Sequence, residues 1–571
     1  MNKFSRTARS VTFAAIVGLS LGVSAPGAFA ETAGEIANRA TKGQSTITQE
    51  TGTFTVHKRA NQDPSNEKKP TGEVVPDAPG IPLKDATFTL YEITKNGRKI
   101  DLKTNESILE ASSLVKKGWS TSDGQETYTT EGGYSAKKIT SDEAAKKTTG
   151  EGTAVWDKLP IGAYLVVETD APPSYEKSAP FVAFVPMTKG NAVQDGEAGD
   201  LGKGTEWNYD VHAYPKNYKN EAKKEVEDTN QQVGQDIVFS IVGDIPKVLG
   251  EKGLTKFEFV DDLNEQKVTF KENSEKLGAG HQNKAYIEVL GGGDGQVLTT
   301  FGPEKYELEH VTGTEKLNVR LNEDGLREIN TTYKETAKKL KLSFAASVIQ
   351  AGELKNEATV ITNNGNGQGD TETKTNETVS YWATVKIVKK DGTGEKTLQG
   401  AIFALYGSKD AVCSKDDLVE RNKISTGSGG EKVQKTQDTW ETNGEGVAII
   451  NGLHVNDWDD NSPVSDDQYR AYCLVEKQAP QGYELLSKPI QLELKKTNAS
   501  TFSASTTDKA VDVQATKTID VYEATATVKN VEDKNPNLPM TGGAGVGILA
   551  AIGAAIIGAG AWFARRNSAE S

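Results

Sequence analysis

The stretch Tyr472-Cys473-Leu474-Val475-Glu476-Lys477-Gln478-Ala479-Pro480-Gln481-Gly482-Tyr483 aligns without gaps on Tyr164-Leu165-Val166-Val167-Glu168-Thr169-Asp170-Ala171-Pro172-Pro173-Ser174-Tyr175. Two landmarks precede both copies in the same order. Ala86-Thr87-Phe88-Thr89-Leu90-Tyr91 matches Ala401-Ile402-Phe403-Ala404-Leu405-Tyr406, and Val56-His57-Lys58 matches Ile387-Val388-Lys389. Such ordered self-similarity predicts two copies of one domain. The runs between landmarks are short and broken by Asp324-Gly325, Asp391-Gly392, Asn443-Gly444 and Asn451-Gly452, which are turn signals. Long amphipathic helical windows are scarce, so the repeated unit is read as a β-sandwich.

The first copy carries an insertion containing Pro64, Pro70, Pro76, Pro79 and Pro82, read as loop, and a polar insertion at 95–155. Residues 218–368 lack the Tyr-x-x-x-Glu landmark but hold strand candidates at 236–242, 256–263, 339–348 and 353–362. A polar stretch, Gly-rich at its start, covers 363–377 and marks a boundary. The expected organisation is a flexible leader at 31–50, three tandem β domains at 51–217, 218–368 and 379–532, and a linker at 369–378. The fold class is all-β.

With 571 residues the chain has room for several domains. Its 66 Lys plus Arg against 80 Asp plus Glu give a net charge of −14, which argues against a nucleic-acid partner. Two cysteines and five histidines make neither a disulfide framework nor a metal-binding cluster, and no phosphate or nucleotide loop stands out. No metal, no cofactor and no enzyme with turnover is expected.

The ends read as addresses. Lys3, Arg6 and Arg9, an apolar run at 11–24 and Ala28-Phe29-Ala30 form a secretory signal over 1–30. Near the other end, Leu538-Pro539-Met540-Thr541-Gly542 precedes an apolar stretch at 545–564 and the basic pair Arg565-Arg566. This tripartite arrangement over 538–571 resembles the cell-wall sorting signal of Gram-positive surface proteins. The resemblance implies that a sortase cysteine cuts between Thr541 and Gly542 and holds Thr541 as a thioester, leaving 31–541 as product.

Strand phase places charged residues on apolar faces. Val385, Ile387 and Lys389 share one face; Tyr472, Leu474 and Glu476 share another; Ala526, Val528 and Asn530 a third. One reading is a buried Lys–Glu ion pair with an Asn beside it. The other is an intramolecular isopeptide bond. Burial favours the neutral lysine amine as nucleophile and the protonated acid as proton shuttle. Here Tyr-x-x-x-Glu-x-x-Ala-Pro-x-Gly-Tyr resembles the E-box of CnaB-type domains in sortase-assembled pilins. That resemblance implies a Lys389–Asn530 bond assisted by Glu476. In the middle domain Lys224 is in phase with Val226, Asp261 with Phe257 and Phe259, and Asn356 with Leu354 and Ala358. This is similar to the CnaA type, with Asp261 as the assisting acid; Lys223 is the rival nucleophile and Asp262 the rival acid. The first domain offers Lys58, Glu168 and Asn217, with Ser174 in place of the E-box glycine.

Trp207-Asn208-Tyr209-Asp210-Val211-His212-Ala213-Tyr214-Pro215-Lys216 resembles the pilin motif W-x-x-x-V-x-V-Y-P-K, with Ala213 for the second Val. Trp207, Val211, Tyr214, Pro215 and Lys216 carry the match. Lys216 is out of phase with Val211 and Ala213 and is expected to be exposed at a strand end. Cys413 and Cys473 both lie in the last domain of a secreted chain; a disulfide between them would contribute about 4 kcal/mol, and two free thiols are the alternative.

Together these motifs resemble the major shaft pilins of sortase-assembled pili, the SpaA type, with CnaB-like, CnaA-like and CnaB-like domains. The resemblance implies a covalent polymer unit joined through Lys216 and Thr541. Its implied partners are a pilin-specific sortase, a housekeeping sortase, identical subunits, minor pilins, peptidoglycan and a host or microbial surface receptor. The location implied is the cell wall and surface fimbria. A monomeric wall-anchored adhesin and a minor tip or basal pilin are the competing readings.

Overall fold

The computed structural model describes residues 47–60, 72–121, 126–140, 143–188, 207–292, 295–428, 435–463, 466–498, 501–508, 511–518 and 521–533. The signal at 1–30, most of the leader, Leu538 to Gly542, the apolar stretch 545–564 and the basic tail lie outside them. No helix among the described residues is long and apolar enough to cross a membrane.

The chain is mostly β-sheet, and three large apolar clusters organise it. In the first, Thr51–His57 lies between Thr153–Pro160 and Asp210–Ala213, antiparallel to the former and parallel to the latter. Phe54, Val56, Trp156 and Val211 from this sheet join Phe88, Leu90, Val166 and Phe181 from the sheet built on Thr87–Lys95 and Gly162–Asp170. Each such side chain contributes roughly 1.5–3 kcal/mol on burial. The polar segment 95–155 is not featureless. It forms the helix Asn105–Ser112, started by a Thr104/Ser107 capping box, and Tyr134–Lys138, and it sends Leu114, Tyr128 and Tyr134 into the core.

The middle cluster sits between a sheet centred on Asp236–Asp244 and Lys339–Val348 and one centred on Lys256–Asp262. The run 353–362, read as one strand, is two. Gly352–Asn356 and Ala358–Asn363 separate at Glu357 and enter different sheets, the second pairing with Lys256–Asp262 and the first with Thr378–Asp391. Continuous apolar alternation hides this break, because nothing in the local pattern marks a change of sheet.

Residues 369–378, read as a linker, contain the strand Thr371–Lys374. The 14-residue strand Thr378–Asp391 follows at once. Trp382 of that strand packs into the middle cluster while its neighbours Tyr381 and Ala383 pack into the last. The strand therefore belongs to both cores. Its second half pairs in parallel with Val521–Asn530 over Thr384 to Asp391.

Candidate functional site: three buried lysine, acid and asparagine sets and the pilin-like strand

In the last domain, Lys389, Glu476 and Asn530 arrive from three strands. Thr378–Asp391 and Val521–Asn530 run side by side, and Ala471–Gln478 crosses the opposite sheet. All three side chains are buried. Lys389 Nζ lies 2.9 Å from Glu476 Oε1 and donates to Asn530 Oδ1. Asn530 Nδ2 donates to both Glu476 oxygens at 3.0 Å and to Glu484 O at 2.9 Å. The Leu486 amide donates to Glu476 Oε2. Phe403, paired with Glu476 across the strands, puts its ring 5.4 Å from Lys389 Nζ.

The first domain repeats this geometry. Lys58 Nζ lies 2.6 Å from Glu168 Oε2 and 2.5 Å from Asn217 Oδ1, and Asn217 Nδ2 donates to Glu168 Oε1 at 2.8 Å. The ring of Phe88, opposite Glu168, takes the place of Phe403, 5.2 Å from the amine. The ends of the two copied stretches also coincide: Tyr175 bridges to Lys219, two residues after Asn217, and Tyr483 bridges to Glu532, two after Asn530. Gly482 has φ +84 and Ser174, at the matching position, φ +70. The loop geometry is thus kept even where the residue is strained by its side chain.

The middle domain places Lys224 against Asp261 Oδ2, with the rings of Phe239 and Phe344 at 4.7 and 5.5 Å. Asn356 is buried nearby, close enough to Asp261 to affect its titration. Yet Asn356 Nδ2 and Oδ1 and Asp261 Oδ1 have no hydrogen-bond partner among the described residues. Lys223 is exposed and pairs with Glu225 at 2.5 Å, and Asp262 is exposed.

Burial drives the chemistry of these groups. It lowers the amines of Lys58, Lys224 and Lys389 from the usual lysine value, and the facing carboxylates only partly restore it. Burial likewise raises Asp261, against the opposing charge of Lys224. A neutral amine, a carboxyl that can carry a proton and a carboxamide in contact have what an amide-forming substitution needs.

The pilin-like strand runs from Trp207–Asn208 through Asp210–Ala213 to Lys216–Asn217. Val211, Ala213 and Asn217 face the core; Trp207 packs at its margin. Pro215 interrupts the ladder, and its carbonyl accepts the Arg59 amide at 3.2 Å. Tyr214 stacks on His57 at 4.5 Å, and its hydroxyl accepts the Val75 amide. Lys216 is half-buried rather than exposed, because Lys216–Asn217 is not a free end: it pairs in parallel with Arg59–Ala60. Thr541 lies outside the described residues. Cys413 and Cys473 form a disulfide closing 60 residues, with Cys473 on the face away from the core, beside Ala404 and Tyr406.

Two buried polar groupings escaped the sequence. Asp228 and His454 pair at 3.3 Å where the middle and last domains meet, and the backbone amides of Asp228 and Asp460 each donate to the other's carboxylate Oδ1, at 2.8 and 2.9 Å. Asp228, Asp459 and Asp460 bring their carboxylates within 4.8 Å of one another. Glu176 accepts from Thr362 at 3.0 Å and from Asn220 at 2.5 Å, between the first and middle domains. The partners are up to 232 residues apart, so no local pattern could have joined them.

Residues 49–218 match a family model described as Gram-positive pilin subunit D1, N-terminal domain, and residues 383–510 one described as SpaA, prealbumin-like fold domain. The chain is 28% identical over 544 residues to fimbrial subunit type 2 of Actinomyces naeslundii, covering 89% of this chain and 88% of that one. It is 27% identical over 548 residues to fimbrial subunit type 1 of Actinomyces viscosus, covering 90% of each. Among solved structures it resembles the full-length major pilin SpaD from Corynebacterium diphtheriae, at 26% identity and TM-score 0.57 over 85% of this chain and 98% of that one. The major pilin SpaA of the same organism, 21% identical, shares the fold at TM-score 0.53 over 84% of this chain and 100% of that one.

Proposed function

We propose, from the premise that this chain is a structural pilin subunit, that it is the shaft subunit of a surface pilus of a Gram-positive bacterium, polymerised through Lys216 and Thr541. A pilin-specific sortase cleaves the Thr541–Gly542 peptide bond and holds Thr541 as a thioester. The neutral Lys216 amine of another subunit attacks that carbonyl, the carbon–sulfur bond breaks, and the sortase thiolate leaves. A housekeeping sortase transfers the finished fibre to peptidoglycan. Minor pilins and a surface receptor complete the set of partners. The observation that carries this reading is the fimbrial likeness along nearly the whole chain, with Lys216 on the strand that closes the first apolar core.

Within each subunit, Lys58, Lys224 and Lys389 form amides with Asn217, Asn356 and Asn530. The amine nitrogen replaces the carboxamide nitrogen, which leaves as ammonia after proton transfer through Glu168, Asp261 or Glu476. The contacts in the first and last domains support this, and so do the orphaned atoms of Asn356. The domain limits we adopt are 51–217, 218–368 and 379–532. The test is Lys216→Ala in a cell that makes the pilus. Boiled wall extracts should lose the high-mass ladder and retain monomer. A persisting ladder would place the acceptor elsewhere.

A further inference from the structure

Glu176, Asn220 and Thr362 make a fourth buried set of acid, carboxamide and nucleophile, with a threonine hydroxyl where the other three sets have a lysine amine. Glu176 directly follows the first copied stretch, Asn220 lies three residues after Asn217, and Thr362 is on Ala358–Asn363. The set therefore spans the joint between the first and middle domains. Their exposures are 6%, 2% and 1%. Backbone contacts hold the first two in register: the Glu176 amide donates to Tyr218 O at 3.2 Å, and the Asn220 amide to Ser174 O at 2.8 Å. Thr362 is fixed on its strand between Phe257 and Thr371.

One carboxylate oxygen reaches both reacting groups. Glu176 Oε1 accepts from the Thr362 hydroxyl at 3.0 Å and from Asn220 Nδ2 at 2.5 Å, and Asn220 Nδ2 also donates to Thr362 Oγ1 at 3.2 Å. The last domain shows the same bridging: Glu476 Oε1 lies 2.9 Å from Lys389 Nζ and 3.0 Å from Asn530 Nδ2. Asn220 Oδ1 is buried without a hydrogen-bond partner among the described residues. A carboxamide oxygen is a strong acceptor and costly to hold dry; an ester oxygen in its place accepts more weakly and is penalised less. Burial raises the Glu176 carboxyl above the usual carboxylate range, opposed in part by bonds from Asn220, Thr362 and Thr371, and no cation offsets it. Lys219, Glu221 and Glu372 beside the set are exposed, and Lys256 pairs with Asp370 at 3.0 Å. A carboxylate raised in this way is a stronger base.

We propose that Thr362 and Asn220 are joined by an intramolecular ester, formed with Glu176 as the proton-transfer group. The ionised Glu176 takes the Thr362 hydroxyl proton, and Oγ1 attacks Asn220 Cγ. The carbon–nitrogen bond breaks, Glu176 returns the proton to Nδ2, and ammonia leaves. One carbon–oxygen bond replaces one carbon–nitrogen bond, and no oxidant is needed. Burial excludes the water that would hydrolyse the ester. The link ties the chain entering the middle domain to that domain's strand Ala358–Asn363, and it does not depend on which lysine accepts the next subunit.

The test digests the full mature chain at its glutamates under mildly acidic conditions. Cleavage after Glu206, Glu221, Glu357 and Glu372 puts Asn220 in 207–221, Thr362 in 358–372 and Asn356 in neither. Tandem mass spectrometry should find 207–221, carrying whatever Asn217 holds, joined to 358–372 at about 17 Da below the sum of the parts. Brief exposure of the joined species to about pH 11 should release 358–372 with the gain of one water, leaving an aspartate side chain at position 220, while amide links survive. Thr362→Val and Glu176→Gln should abolish the joined species, and Thr362→Ser should retain it. Recovery of 358–372 from wild type as a separate peptide, with the Asn220 carboxamide intact, would overturn the ester and leave a hydrogen-bonded joint.

Discussion

Asn530→Ala isolates the last domain's crosslink, because it leaves the Lys389–Glu476 pair in place at 2.9 Å and creates no unpaired buried charge. Lys389 and Asn530 are 141 residues apart. The Cys413–Cys473 disulfide shortens that ring: 24 residues separate Lys389 from Cys413 and 57 separate Cys473 from Asn530. A ring of about 80 residues restricts the unfolded chain by roughly 4.5 kcal/mol. The lost Asn contacts add about 1–2 kcal/mol. For a domain of this size, 1 kcal/mol moves Tm by about 2–4 °C. The last domain's calorimetric transition should therefore fall by about 10–25 °C in non-reducing buffer. A non-crosslinked domain would lose only the hydrogen-bond contribution, below about 8 °C. A drop under that limit, with wild-type mass retaining the Asn530 ammonia, refutes the bond.

Further measurements bear on other parts of the molecule. The three amides should place the intact mass of the mature chain about 51 Da below the translated sequence, apart from the disulfide hydrogens and the Asn220 ester, and Glu168→Ala, Asp261→Ala and Glu476→Ala should each restore about 17 Da. At the junction of middle and last domains, burial alone would lower His454, but the Asp228 charge outweighs it and the group is raised above 6.5; Asp228 is lowered below 3.8 because His454 outweighs its burial. The His454 contribution is therefore full below pH 6.5 and lost as pH rises through its raised value, while that of Asp228 is present above 3.8 and lost as pH falls through its depressed value. His454→Gln should flatten the alkaline side of a Tm-against-pH curve; an unchanged slope would show that the pair does not couple to unfolding. Gly482→Ser, at φ +84, should cost about 1 kcal/mol by chemical denaturation, because Ser must adopt a left-handed conformation. Trp382→Ala should cost about 3–5 kcal/mol, since the indole fills the middle core and its N–H donates to Gln231 O at 2.8 Å; limited proteolysis should then cut near 378 first.

The all-β character and the two copies were legible because strand phase and copied landmarks are local. Lys389 needs only its own strand to declare that it points inward with Val385 and Ile387. The same parity argument put Lys216 outward but could not see the Arg59 strand that half covers it. Nor could it find the break at Glu357, where a continuous pattern changes sheet, or the Asp228–His454 pair, whose members meet only after two domains have formed. What was missed depends on neighbours distant in sequence, whose identity is fixed by topology rather than periodicity.

The strand Thr378–Asp391, shared by two cores, has a mechanical consequence if the fibre is joined at Lys216 and Thr541 as proposed. Tension enters at Lys216 and passes to Lys224. With the amides in place it crosses to Asn356, runs along Thr378–Asp391 to Lys389, and crosses to Asn530. Residues 225–355 and 390–529 then lie off the stretched path, as does everything before Lys216. The loops of all three domains are relieved of tensile duty. They can change sequence, unfold or be cleaved while the covalent thread stays whole, so the fibre's strength and its outward face are separable properties.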